Sequence, residues 1–132
     1  MFRVGVRVVT ENWFALLASP VEVEAVMQGV GPSLGLLADT GNWRGPGKYD
    51  ALTAIFAKAS LCHAKTRYSD RGVRDDDDCR RWLDAAIDAG YEGPFTLIYD
   101  APGDEWSGLS LERAFIESHW ARKREQRSNG NA

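Results

Sequence analysis

Five side chains able to hold a cation or move a proton stand where short apolar runs end. Val4 to Val9 leads to Glu11, Gly35-Leu36-Leu37-Ala38 to Asp39, Leu61-Cys62 to His63 and Lys65, and Phe95 to Tyr99 to Asp100. A Glu, an Asp and a neutral imidazole make a donor set suited to Mn²⁺, Mg²⁺, Co²⁺ or Zn²⁺. A carboxylate beside such an ion can also take a proton from a bound molecule. Any one of these acids alone would read as a solvated loop residue, and His63 alone as a core histidine with a partner. Together, at the ends of otherwise apolar runs, they read as one shared site, because each would be costly to bury without a partner.

The elements that must position them follow from pattern and punctuation. Residues 3–11 are β-branched and compact and predict a strand. Its alternation puts Gly5, Arg7, Val9 and Glu11 on one side and Val4, Val6, Val8 and Thr10 on the other. Ser19-Pro20 with Glu22 and Glu24 reads as a helix start, with Ser19 as the cap and acids facing the positive end of the dipole, and Gly31-Pro32 ends that helix after about Gly29. Further strands are expected over 34–39, 60–65 and 95–100. Helices are expected from about 50 to 59, from Cys79 to Ile87 behind the acids Asp75 to Asp78, and from Leu109 to Arg122. The four consecutive acids tempt one toward a metal site, but acids at a helix N-terminus are sufficiently explained by the dipole. The loop from Thr66 to Arg74 is long for a turn, and long loops after strands often carry substrate contacts.

Strand starts recur about every 26 to 35 residues, the length of one βα unit. The expected fold is therefore α/β, four consecutive βα units with parallel strands, and right-handed crossovers put every helix on one face if the strands lie in sequential order. Four strands cannot close a barrel and eight can, so the chain reads as half of a TIM barrel. Kept in register, the inward-facing set is Glu11, Asp39, His63, Lys65 and either Ile98 or Asp100, near the C-terminal strand ends, where barrels place catalysis.

A chain of 132 residues is one domain by size, here residues 1–120, with a basic tail, 121–132, expected to be disordered. The formal charge of −3 argues against a nucleic-acid surface, which needs locally dominant Lys and Arg. No apolar run reaches the roughly 20 residues of a membrane helix, and Met1-Phe2-Arg3 leads into a strand with no signal-peptide core, so a cytoplasmic location is expected. Cys62 and Cys79 form neither a disulfide framework nor a metal knuckle and read as two reduced thiols.

Glu11-Asn12, Asp39-Thr40-Gly41-Asn42, His63-Ala64-Lys65 and Gly90-Tyr91-Glu92-Gly93-Pro94-Phe95 resemble, in order, signatures of the xylose isomerase-like TIM barrels, the sugar isomerase and epimerase superfamily. The resemblance spans about residues 3–118 and covers only the last four βα units of that fold. It implies a divalent metal held by Glu11, Asp39 and His63, with Glu11 also the catalytic base. It further implies substrate contacts from Asn12, Asn42 and Lys65, and a small sugar-like substrate whose proton next to a carbonyl is moved. The family's last Glu falls on Ile98, which can neither bind a metal nor move a proton. Asp100, two residues and roughly 6–7 Å further along the strand, is the candidate for the second acid/base role. The alternative is a non-catalytic barrel fragment or subunit that needs a partner chain.

Burial leads to an expectation about association. Helices can cover the face bearing Val4, Val6, Val8, Leu36, Cys62, Leu97 and Tyr99, but nothing remains to cover Val9, Leu37, Leu61 and Ile98. Leaving these in water forgoes on the order of 5 kcal/mol, and open strand edges invite pairing. The chain is therefore expected to be a homodimer or to bind a complementary half-barrel chain.

Overall fold

The computed structural model describes residues 5–130. It is α/β, four βα units in a row: β1 (Val8–Glu11), α1 (Pro20–Val30), β2 (Leu34–Asp39), α2 (Lys48–Phe56), β3 (Leu61–Lys65), α3 (Asp76–Asp88), β4 (Phe95–Ile98) and α4 (Glu105–Gly130). The strands form one parallel sheet in the order β1-β2-β3-β4, open at both ends. Leu36, Ala38, Cys62 and Ala64 point to the helical side and are wholly buried against Leu52, Phe56, Trp82, Leu83 and Ala86. The core is finished at the lower end of the sheet by an aromatic seam in which Phe95 meets Tyr91 at 5.3 Å and Trp120 at 5.2 Å between ring centroids. Both cysteines are free and buried in this layer, and burial pushes the Cys79 thiol up to about 12. They are packing groups, as expected from the sequence.

Two side chains continue the sheet where its ladders stop. The β1–β2 pairing ends at Glu11↔Leu37. One residue on, the Asn12 amide takes over as a peptide mimic: its Oδ1 accepts from the Asp39 N–H at 2.7 Å, and its Nδ2 donates to the Asp39 carbonyl at 3.0 Å. Thr40 does the same toward β3, its hydroxyl accepting from Lys65 N–H at 2.9 Å and donating to Lys65 O at 3.0 Å. Buried backbone groups need partners, and these side chains supply them at the rim where the chemistry-bearing residues lie.

Several local expectations change. The first strand begins at Val8 rather than residue 3; Gly5 to Arg7 lie outside it, and residues 1–4, including Val4, fall outside the described residues. Strand β4 stops at Ile98, which leaves Asp100 beyond its end. Ser19 does flank α1, but its hydroxyl donates to the Glu22 carboxylate at 3.2 Å instead of capping a backbone N–H. The tail expected to be disordered is helical as far as Gly130, and residues 131–132 lie outside the described residues. The extra turns are held to α3. Lys123 Nζ lies 3.4 Å from Asp84, and Arg127 donates to the Ile87 carbonyl at 2.9 Å and pairs with Asp88. Of the acids before α3, Asp75 caps the Asp78 N–H at 3.0 Å, whereas Asp78 is buried and receives Lys48 Nζ at 2.6 Å and Tyr49 O–H at 2.7 Å. That ion pair braces α2 against α3, a role that the dipole reading of the acids did not include.

The exposure of the sheet faces also differs from expectation. Leu37 is 8% exposed on the open face, and Val9, Leu61 and Ile98 are only half-buried there. Part of the cover comes from β1 and the residue before it, because Gly35 leaves room for its neighbours: a Cβ at Gly35 would stand 2.9 Å from both Arg7 Nε and Val9 Cγ1. Conversely Val6 and Val8, expected beneath a helix, are 76% and 65% exposed; among the described residues α1 packs on β2 rather than over β1.

Glu112 of α4 is wholly buried, with Thr66 Oγ1 donating to its Oε1 at 2.5 Å and no partner at Oε2. Burial raises its carboxyl above the ordinary value, against the opposing pull of the Thr66 hydrogen bond. A carboxyl raised in the folded state binds its proton more tightly there than when unfolded, so its contribution is full below the ordinary glutamate range and is lost as pH rises through the raised value. Glu112→Gln is expected to remove this loss. Urea titrations at pH 4.5 and pH 8 should show the wild type losing stability relative to the variant at the higher pH.

Candidate metal centre

The open face of the sheet gathers the residues that end its strands. Asp39 and His63 are direct neighbours across β2 and β3, and Glu11 stands on β1 opposite Leu37, two residues below Asp39 and so on the same face. His63 Nδ1 is 3.7 Å from Asp39 Oδ2 and 3.9 Å from Glu11 Oε1. One donor atom from each of the three residues lies within 4.8 Å of the others. These gaps are too long for hydrogen bonds. Donor atoms around one ion with bonds of about 2.0–2.2 Å lie roughly 3–3.5 Å apart, so small side-chain rotations suffice for the three to share a cation.

The Asp39-Thr40-Gly41-Asn42 turn aims the carboxylates. Asp39 Oδ1 accepts from the N–H groups of Gly41 and Asn42, both at 2.8 Å, which leaves Oδ2 facing His63. Asn42 Nδ2 then donates to Glu11 Oε1 at 2.9 Å and to the Asn12 carbonyl at 3.0 Å. Gly41 gives passage to Lys65, whose Cγ and Cδ would lie 2.8 Å from a Cβ there. One turn thus supplies one carboxylate of the cluster, the group that orients the second and the bed for a lysine.

Two carboxylates held this close repel unless a cation lies between them. The Glu11 carboxyl is raised above its ordinary value, first by burial and then by the Asp39 charge, while His63 and the Asn42 hydrogen bond pull the other way. The donor types, their spacing and the crowding of negative charge all fit a divalent ion.

The remaining candidates fall differently. Lys65 reaches the open face beside the cluster, with its Nζ 3.6 Å from Asp100 Oδ2. The Asp100 side chain itself is 74% exposed and stands outside the cluster, which corrects its expected place on the inward face of β4. Ile98 occupies that face opposite Lys65. Asn12 is brought to the site but buried, both ends of its amide spent on the Asp39 backbone, so it positions Asp39 rather than reaching out to a substrate. Asn42, also expected to touch substrate, is committed to Glu11. Two residues not singled out from the sequence lie next to Glu11 and Asn12 along the chain. Trp13 and Phe14 follow Glu11-Asn12, pack edge-to-face at 4.9 Å and are both exposed, with Phe14 at φ 34°. The signal for Asn12 was present in its place directly after a strand-terminal acid; nothing local marks the aromatic pair.

If these amides aim the carboxylates as described, their removal separates folding from metal binding. Asn12→Ala strands a buried N–H and a buried carbonyl and should cost about 2–4 kcal/mol in urea denaturation. Asn42→Ala should weaken divalent-metal affinity about 10- to 100-fold, as loss of an outer-shell partner does, read by calorimetric titration with Mn²⁺. The chain matches no family model, no curated protein and no solved structure.

Proposed function

We propose that the chain is the metal-binding half of an isomerase- or epimerase-type enzyme that moves a proton next to the carbonyl of a small sugar-like molecule. The observation that carries this reading is the convergence of Glu11, Asp39 and His63 on one open rim, with donor atoms within 4.8 Å. The ordered resemblance of their motifs to xylose isomerase-like barrels supports it. Glu11, Asp39 and His63 would hold a divalent ion, which would supply positive charge to an oxygen beside the carbon that loses its proton. Glu11 is the proton acceptor, held toward the open face by Asn42. Asp39 and His63 would complete the hold on the ion, and Lys65 is the cation on hand to contact a substrate hydroxyl or anionic group.

One observation favours a second reading, a metal-holding subunit without chemistry of its own. A reversible proton transfer to the opposite face of the substrate needs a second acid, and Asp100 lies exposed outside the cluster with Ile98 in its stead. Two measurements separate the readings. Calorimetry should show one Mn²⁺ per chain, with Glu11→Gln, Asp39→Asn or His63→Ala each weakening it at least tenfold; an unchanged affinity in all three would sink both readings. Deuterium incorporation from D₂O into the carbon next to the carbonyl of small aldoses and ketoses should then occur with metal and vanish in Glu11→Gln. Metal binding without any exchange would leave only the subunit reading.

A further inference from the structure

The two edges of the sheet are complementary to each other. Among the described residues, strand β1 has no neighbour on its outer side, and Val6 and Val8 stay exposed beside it. At the far end, β4 has an open outer side and is followed by α4, which packs on it. In a parallel sheet built from βα units, a helix lies over its own strand and the next one. What β1 is missing is therefore a strand followed by its helix, and what β4–α4 lacks is a following strand. The exposed apolar residues mark the same seam. Val26 and Val30 are exposed on α1, and Trp106 is 79% exposed on α4.

The strand register gives a quantitative match. Val8 is level with Leu34, so β1 and β2 start together. Leu61 is level with Leu37, three residues above the start of β2, and Phe95 is level with Cys62, one residue above the start of β3. The four strands thus climb four residues in all. An eight-stranded TIM barrel closes with a shear of eight, which is two such climbs joined with no further offset. With no offset, Phe95 meets Val8, Thr96 meets Val9, Leu97 meets Thr10 and Ile98 meets Glu11. The two edge strands have the same length, four residues. Parity also agrees, because Leu97 faces the helices like Thr10 and Ile98 the open side like Glu11.

We infer that two copies of this chain close one eight-stranded barrel, β4 of each pairing in parallel with β1 of the other about a two-fold axis along the barrel. The α4 helix of one copy covers Val6 and Val8 of the other, and the two open faces become one interior with both Glu11-Asp39-His63 clusters at the same mouth. Each cluster thereby gains the facing wall that its own chain lacks, with the other copy's Ile98 beside its Glu11. The inference rests on edges and register and stands apart from the metal reading.

Sedimentation equilibrium of the full chain is expected to give a dimer. Val8→Lys, which changes a side chain already exposed in the single chain, should weaken it at least tenfold, whereas Val21→Lys, 77% exposed in the groove between α1 and α2 and away from β1, should not. Adjacent strands bring Cα atoms within the 4.4–6.8 Å range that a disulfide spans. Val9→Cys with Thr96→Cys in one chain should therefore yield a covalent dimer under mild oxidation, and neither single variant should. A monomer at every concentration, a dimer insensitive to Val8→Lys, a dimer that the cysteine pair fails to link, or a chain that associates only with a different protein would each overturn the proposal. Circular dichroism of Val8→Lys guards against misreading an unfolded variant: a folded monomer supports the interface, and for an unfolded one the disulfide result decides.

Discussion

The site depends on how the sheet ends. Backbone pairing between β1 and β2 stops at Glu11, yet Asp39 still carries a buried N–H and carbonyl that need partners. The Asn12 amide provides both and thereby sets the separation of the first two strand ends. Thr40 does so for the second and third. With three strand ends locked side by side, Glu11, Asp39 and His63 have little freedom to splay, and the turn after β2 needs only its backbone N–H groups and one amide to aim the carboxylates. Preorganised carboxylates of this kind lose little entropy on binding an ion, and their mutual repulsion is relieved by it.

Away from the rim, buried polar groups brace the helices. Lys48 and Tyr49 on α2 converge on Asp78 of α3, and Glu112 of α4 meets Thr66 just after β3. His119 of α4 donates to Asp84 of α3 at 2.8 Å. Groups buried this way add little net stability but are costly to break, so they select one arrangement of α2, α3 and α4 against the sheet. The same helices follow the loops after β2, β3 and β4, which lie at the strand ends that carry the Glu11-Asp39-His63 cluster.

The open face shows how far one chain can go alone. Arg7, Val9 and the stem of Lys65 fold over glycines 35 and 41 and shelter part of the inner surface. What they cannot shelter is the outer edge of β1, where the valines stay in water. The apolar defect of this fold is thus an edge defect more than a face defect. An edge defect is met by another strand with its helix rather than by a lid.

The βα repeat, the strand polarity and the common face of Glu11, Asp39 and His63 were legible in the residues, because the two-residue pleat and the Gly and Pro punctuation are local properties. The second strand, 34–39, could be read to its boundaries for the same reason. Other features needed the tertiary structure. Residues 121–130 read as a loose basic tail until Asp84 and Asp88 of α3 are seen to hold their Lys and Arg. Asp78 reads as one more helix-dipole acid until Lys48, thirty residues away, is buried against it. Asn12 and Asn42 have side chains that look free in a sequence, and only the packed rim shows that Asp39 and Glu11 consume them. Asp100 keeps the parity of the inward face, but β4 ends before reaching it, so a residue of the right type is left in solvent. Parity and punctuation belong to neighbours along the chain, whereas the partner of a buried charge or amide is set by which distant segments the core brings together.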